Sequence, residues 1–348
     1  MTPAYVILGE YNIPGKFVDI VSENHGFIND TNIVTFRNEG RNTRYVLQRV
    51  NHNVFRYPED VMNNLRVITN HLREREAADN NEKLQFAEII PTASGHDFHR
   101  DDDGNVWRIL TFIEGAAAFQ SVQGLSHAEE CGKVLGRFLD RVSDIDSTKV
   151  RATIKGYHVP SNYLRQFDET AKVDAPEEML KFVEAHRERA VELEVAQAKG
   201  ILKTRIIHGD PRINNIMIDE TTGKGVAMID LDTASAGLVQ MDVGDAVRSI
   251  CNPAGEDVQF LEEVEFRKDI YEAFMKGFYA TANHFLTEVD KDYIVKAIKI
   301  LPFELGLRFL TDHMRGDKYF KVRRHGQNLR RAMGQFKLCE LIESAVSD

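Results

Sequence analysis

Between Thr111 and Ala116 the period of the hydrophobic pattern changes, and no other feature limits the fold of this chain so closely. Before it the chain reads mostly as strand. NIVTFRNEGRNTRYVLQRVN (32–51) carries two alternating apolar runs around a turn containing Gly and Asn, a hairpin pattern. Pro58 and two acids then open a helix, with Val61, Leu65, Ile68 and Leu72 at helical spacing. HDFHRDDDGNVWRILTFIEG (96–115) reads as a second hairpin, turning at Asp103–Gly104. From Ala116 onward the segments 126–145, 175–200, 262–282 and 291–314 are amphipathic helices, the second ending at Gly200. A short strand-rich island, 205–233, interrupts them. The pattern predicts an α+β protein with a small antiparallel-sheet lobe (1–115), a connection at 112–115, and a larger, mainly helical lobe (116–348).

With 348 residues, 43% of them hydrophobic, the chain has material for one large or two intimate domains. Its 54 acidic and 44 basic residues leave a net charge of -10, the wrong sign for a general nucleic-acid binder. The three cysteines lie far apart, with neither CxxC nor an even-numbered framework, which fits a reduced cytoplasmic interior. No basic-then-apolar leader opens the chain, and no window approaches the ~20 apolar residues of a membrane span. No membrane partner is expected.

The island RIIHGDPRINNIMID (205–219) concentrates the chemistry. Asp210 is followed five residues later by Asn215; a strand, a turn (ETTGKG) and a second strand lead on to Asp230 and Asp232. A hairpin returns its ends to one edge, so Asp210, Asn215 and Asp230 can be brought together. Carboxylate and amide oxygens are hard ligands suited to Mg²⁺. Phosphoryl transfer asks for an acid at the attacking hydroxyl, an Asn and a second Asp for metal, and a cation near the moving phosphate; Arg212 stands where that cation is needed.

The motif HGDPRINN…MIDLDT resembles the catalytic loop of the aminoglycoside phosphotransferase and choline kinase superfamily, whose fold is protein-kinase-like. RYVLQRVNHNVF, WRILTFIEG, MDVGDAVRS, LGLRFLTDHMRGDKYF and HGQNLRRAMGQFKL are further similar to the N-acetylhexosamine 1-kinase group, which phosphorylates the anomeric hydroxyl of free N-acetylhexosamines with ATP and Mg²⁺. The resemblance runs from about Gly26 to Leu338. It implies that Asp210 is the catalytic base, that Asn215 and Asp230 hold Mg²⁺, and that Arg212 contacts the phosphate. It further implies that Arg308 and Tyr319 lie near the sugar, and that Phe112, Ile113 and Glu114 form the hinge against adenine.

The chain also departs from the wider pattern. It has neither GxxxxGK[ST] nor GxGxxG, and Asn29, Thr31 and Asn32 are the polar side chains available to line phosphates in the first turn. Where the strand lysine of kinases is expected, YVLQRV carries Gln48, as the hexosamine kinases do. Arg49 beside it belongs to the opposite face. Phe27 replaces a histidine that precedes IN in the hexosamine kinases, which opens the question of acceptor specificity.

Structural readings compete at single residues. Asp232 is either a second metal neighbour or a strand-end turn former, and Arg308 either a ligand or a buried ion-pair partner. Asp242, Asp245 and Arg248 are expected to brace the loop or cap a helix, and His208 to orient it. His96 and His99 flank a turn without forming a metal set, and DDDG is a turn and not an EF-hand loop. Same-fold alternatives for the acceptor are an aminoglycoside, choline or an amino alcohol. CNPAG (251–255) begins like a sulfatase signature but has Gly255 in place of its arginine; a non-catalytic pseudokinase would need none of the three loop residues.

Overall fold

The structure, a computed structural model, describes residues 4–23, 28–78 and 83–347. After a one-turn helix α1 (Ala4–Ile7) come β1 (Lys16–Glu23), β2 (Asp30–Asn38), β3 (Arg41–Val50), helix α2 (Pro58–Ala78), β4 (Ile89–Ile90), β5 (His99–Arg100) and β6 (Val106–Thr111). The strands form a sheet in the order β1-β2-β3-β6-β4, with β5 also on β6, and every pairing is antiparallel. The first expected hairpin is β2–β3; Glu39 and Gly40 turn it with φ of 50° and 81°, as a tight two-residue turn requires. The second is β5–β6, closed by the Asp101 carboxylate, which accepts from the Asn105 N–H at 2.8 Å and from the Trp107 indole at 2.9 Å. The DDDG run is therefore a turn.

β1 was not expected. It is an edge strand exposed along nearly its whole length, so burial imposes no alternation on its sequence. One sheet face packs Leu47, Trp107 and Ile109 against Ile7, Leu8 and Tyr11. The other receives α2, whose Met62, Leu65, Ile68 and Leu72 join the large central core.

Residues 112–115 lead to β7 (Ala116–Ala118), which pairs with β9 (Ile216–Asp219) in a second sheet, β10-β9-β7, with β10 at Gly225–Met228. β8 (Arg205–Ile207) pairs with β11 (Ser235–Gly237). Helices α3 (Leu125–Val142), α4 (Pro160–Asp168), α5 (Glu177–Ala190), α6 (Glu192–Ala198), α7 (Val239–Ile250), α8 (Lys268–Ala282), α9 (Glu288–Met314) and α10 (Gln327–Ala345) surround these strands. The single helix expected over 175–200 is two, α5 and α6. Met179 and Val183 pack with Phe303 and Leu307, whereas Leu193 and Ala196 pack with Leu238 and Met241, so the chain turns between two cores. α3 and α8 touch backbone to backbone: a Cβ on Gly277 would sit 1.9 Å from the Glu129 carbonyl oxygen. Among the described residues no helix is long and apolar enough to cross a membrane.

Candidate active site

The loop after β8 is built from buried pieces. Ile206 and Ile207 lie in the core, and the chain turns at Gly209 with φ +84°. A Cβ there would meet the Thr233 carbonyl oxygen at 2.8 Å, so only glycine fits. From α7 the Asp242 carboxylate accepts the N–H groups of His208 (2.7 Å) and Gly209 (2.8 Å). Burial outweighs these two bonds and pushes its pKa up to about 7. His208 Nδ1 accepts the Asp210 N–H at 3.2 Å, so the ring proton sits on Nε2 and is donated to the Ile229 carbonyl at 2.9 Å. Burial lowers its pKa and keeps the ring neutral. His208 and Asp242 thus hold the loop, as the sequence predicts.

Asp210, Arg212 and Asn215 come together. Arg212 straddles the Asp210 carboxylate, Nε to Oδ1 at 2.6 Å and Nη2 to Oδ2 at 3.0 Å. Asn215 Nδ2 donates to the Asp210 carbonyl (2.8 Å) and Oδ2 (3.2 Å), which turns its amide oxygen away from Asp210. Burial favours the neutral acid at Asp210, but the Arg212 charge and hydrogen bonds prevail and hold its pKa below the usual carboxylate range. Asp230, tied in through the Ile229 N–H to Asn215 carbonyl bond (2.9 Å), adopts a left-handed conformation, φ 63°. Protein crowding, then the charges of Asp232 and Asp210, push its carboxyl up to about 7, although the residue keeps an open path to solvent that tempers the rise. The Asp230 carboxylate and the turned-out Asn215 amide oxygen are hard oxygen donors of the kind Mg²⁺ takes.

Asp232 lies in the one-turn 3-10 helix Leu231–Thr233 that follows β10, as a strand-end turn former would, and its charge reaches Asp230. It is buried and paired with Arg108, Nη1 to Oδ1 at 2.7 Å, and it accepts Asn29 Nδ2 at 2.7 Å on its other oxygen. Asn29 also takes the Asn51 N–H, so its side chain is committed to protein partners. Gln48 Oε1 accepts Arg108 Nε (2.9 Å) and Nη2 (2.7 Å), and its Nε2 donates to Thr31 (3.0 Å). Arg49, on the other face, pairs with Asp30. Phe27 lies outside the described residues. In the connection 112–115, Ile113 is buried against Met217 and Ala227, while Arg44 lies over the Phe112 ring at 4.1 Å and pairs with Glu114. The side chains of Phe112 and Glu114 are thereby spent on Arg44, which leaves the backbone for any adenine contact.

On the other side of the loop, Arg308 and Tyr319 line a cavity of about 180 Å³ with Tyr157, Tyr163 and Asp312. Arg308 has no carboxylate partner among the described residues; it faces the rings of Tyr157, Tyr163 and Phe320 at 5.3, 5.1 and 5.5 Å. The ion-pair reading of Arg308 is therefore corrected. Asp312 accepts the N–H groups of Lys318, Tyr319 and Phe320 and so fixes the segment carrying Tyr319. His158 joins cavity to loop: Nε2 meets the Gly209 carbonyl and Nδ1 meets Glu304, each at 2.9 Å. Burial opposes its charge, but Glu304 prevails and its pKa rises to about 9. Sequence reasoning missed Arg108, Tyr157, His158 and Glu304. Two signals were available: a lone cation in the apolar strand VWRILT, and Glu304, Arg308 and Asp312 spaced by four in the mostly apolar stretch 300–312. Cys251, which opens the sulfatase-like CNPAG, is sealed in the core with its thiol pushed well up, out of reach of any substrate.

A small antiparallel sheet, a larger helical part and a loop bearing Asp210 and Asn215 between them define a protein-kinase-like phosphotransferase. Residues 22–275 match the model of the phosphotransferase enzyme family, and the chain belongs to that family. It is a small-molecule kinase with a hydroxyl acceptor. A microcompartment-associated aminopropanol kinase is 15% identical, with TM-score 0.67 over 99% of this chain and 98% of that one. An aminoglycoside phosphotransferase from Alicyclobacillus acidocaldarius is 15% identical, with TM-score 0.63 over 99% and 95%. A spectinomycin phosphotransferase, solved with ADP and spectinomycin, is 13% identical, with TM-score 0.57 over 98% and 97%. At these identities the three structures show a shared fold.

Proposed function

We propose that this kinase transfers the γ-phosphate of ATP to a hydroxyl of a sugar, the anomeric hydroxyl of an N-acetylhexosamine or related hexose. The observation that carries the reading is the contiguity of the Asp210 loop with the Arg308 cavity: His158, beside Tyr157 of the cavity wall, is bonded to the Gly209 carbonyl, one residue before the base. A sugar seated against Tyr157 and Arg308 has a hydroxyl next to Asp210. Held as a carboxylate by Arg212, Asp210 is ready to orient that hydroxyl and take its proton.

Residues 1–115 and 116–348 act as two lobes around the nucleotide, joined at 112–115. Asn215 and Asp230 would hold Mg²⁺, which when bound offsets the charge of the phosphates. Arg212, two residues from the base, turns from Asp210 to the transferring phosphoryl. Thr31 and Gln48 shape the phosphate end, and the backbone of Phe112, Ile113 and Glu114 receives adenine. Two further observations favour a neutral or anionic acceptor over choline or an amino alcohol: among the described residues no carboxylate makes an ion pair with the cavity cation Arg308, and Asp312 is already occupied by backbone N–H groups. We place the reaction in the cytoplasm and in carbohydrate metabolism.

ATP consumption measured against free hexoses, N-acetylhexosamines, aminoglycosides, choline and amino alcohols tests the assignment. The expected outcome is turnover with an N-acetylhexosamine and a phosphorus–anomeric proton coupling in the product's NMR spectrum. Turnover confined to cationic acceptors would replace the sugar with one of them.

A further inference from the structure

Kinase chemistry needs a cation on the α- and β-phosphates, and this chain has Gln48 at the strand position that normally supplies it. Gln48 and Arg108 are direct cross-strand partners on β3 and β6, so their side chains leave the same face of the sheet. That face looks toward α2 and the carboxylates, as the Arg108–Met62 contact at 3.9 Å and the Arg108–Asp232 bond show. Neighbouring cations do not compete: Arg49 points to the opposite face and pairs with Asp30, and Arg44 sits over Phe112 and pairs with Glu114.

The environment of Arg108 is unusual for a merely structural cation. The residue is 1% exposed; its guanidinium meets a single carboxylate among the described residues and is bracketed by the Gln48 amide oxygen at two of its nitrogens. The glutamine is in turn fixed by Thr31. Its carboxylate partner lies two residues beyond Asp230 and is itself tethered to Asn29 in the first turn. A guanidinium presents a planar fork that suits carboxylate and phosphate oxygens alike, so one anion can replace the other without the arginine leaving its bracket.

We propose that Arg108, positioned by Gln48, is the cation that grips the nucleotide's α- and β-phosphates in place of the strand lysine, and that Asp232 holds it until nucleotide enters. The assignment rests on the kinase reading above. Gln48 is then a positioning residue, and its lack of charge is made good one strand away. Because Arg108 and Asp232 are both closed to solvent, the exchange requires Asp232 to turn aside as the phosphates arrive.

Calorimetric binding of ADP and of adenosine to the full chain reads this directly. In Arg108→Gln, ADP should bind about tenfold or more weakly, the loss of a hydrogen bond to a charged group. Adenosine, which has no phosphate, should be unaffected. Gln48→Lys in the Arg108→Gln background returns a cation to β3 and should recover most of the ADP affinity. A folded Arg108→Gln protein with unchanged ADP affinity, or with ADP and adenosine weakened alike, would overturn the assignment. If that variant does not fold, Asp232→Asn reads the same exchange. It frees Arg108 and should tighten Mg²⁺-free ADP but not adenosine; unchanged ADP affinity would count against the proposal. Wild-type protein that binds no adenine nucleotide would remove the kinase reading itself, whereas normal wild-type binding with an indifferent Arg108→Gln removes this assignment alone.

Discussion

The guanidinium of Arg212 straddles the carboxylate of Asp210, with both contacts at 3.0 Å or less, two residues apart in the same loop. In the proposed reaction this pairing keeps Asp210 ionised for the acceptor hydroxyl, while Arg212 turns from it toward the phosphoryl group.

Arg212→Ala should move the acidic limb of the kcat/KM profile to higher pH. Burial raises the Asp210 pKa, and the charge and hydrogen bonds of Arg212, with smaller help from His208 and Arg248, bring it below the ordinary value; without Arg212, protonation disables the base at a higher pH. Turnover at neutral pH should fall about 10²-fold or more, as when a transition-state donor is lost. A pH–rate series on the variant and on Arg212→Lys checks both effects. An unmoved limb would dissociate Arg212 from the ionisation of Asp210.

His158 and Glu304 should make stability depend on alkaline pH. The folded-state pKa of His158, about 9, lies above its ordinary value, so folding is favoured fully below about 6.5 and this contribution is lost as pH rises through about 9. Both side chains are buried, so Glu304→Gln should cost about 3 kcal/mol near pH 6 and progressively less toward pH 10. Thermal or urea unfolding across that range measures it; parallel curves for wild type and variant would refute the coupling.

Gly209→Ala should destabilise the loop by about 2–4 kcal/mol, combining a left-handed conformation with a backbone clash. The clash is with the Thr233 carbonyl oxygen, 2.8 Å from the added carbon. Hydrogen exchange of the His208 and Gly209 amides, held by Asp242, should report the loosening before global unfolding does.

What could be read from the sequence follows the range of the interactions. Asp210, Asn215 and Asp230 were legible because a short hairpin, β9–β10, joins them, and local turn chemistry carries that information. The β2–β3 and β5–β6 hairpins were legible for the same reason. Arg108 and Asp232 were not, because their pairing spans 124 positions of chain (108 to 232) and depends on how β6 packs over the loop. His158 was hidden likewise: its partners are Gly209 and Glu304, on two unrelated elements. β1 escaped because an exposed edge strand leaves no alternating pattern, and the α5–α6 break because it follows two separate cores.

The most direct test of the account is phosphoryl transfer from γ-labelled ATP to an N-acetylhexosamine by wild-type protein and by Asp210→Asn, with ADP binding measured on both. The account predicts one labelled sugar phosphate per ADP in the wild type. In the variant, transfer should be slower by about 10³-fold or more while ADP affinity is kept, because the base acts on the acceptor and not on the nucleotide. Undiminished transfer by Asp210→Asn, or wild-type ATP consumption that never labels a hydroxyl acceptor, would contradict it.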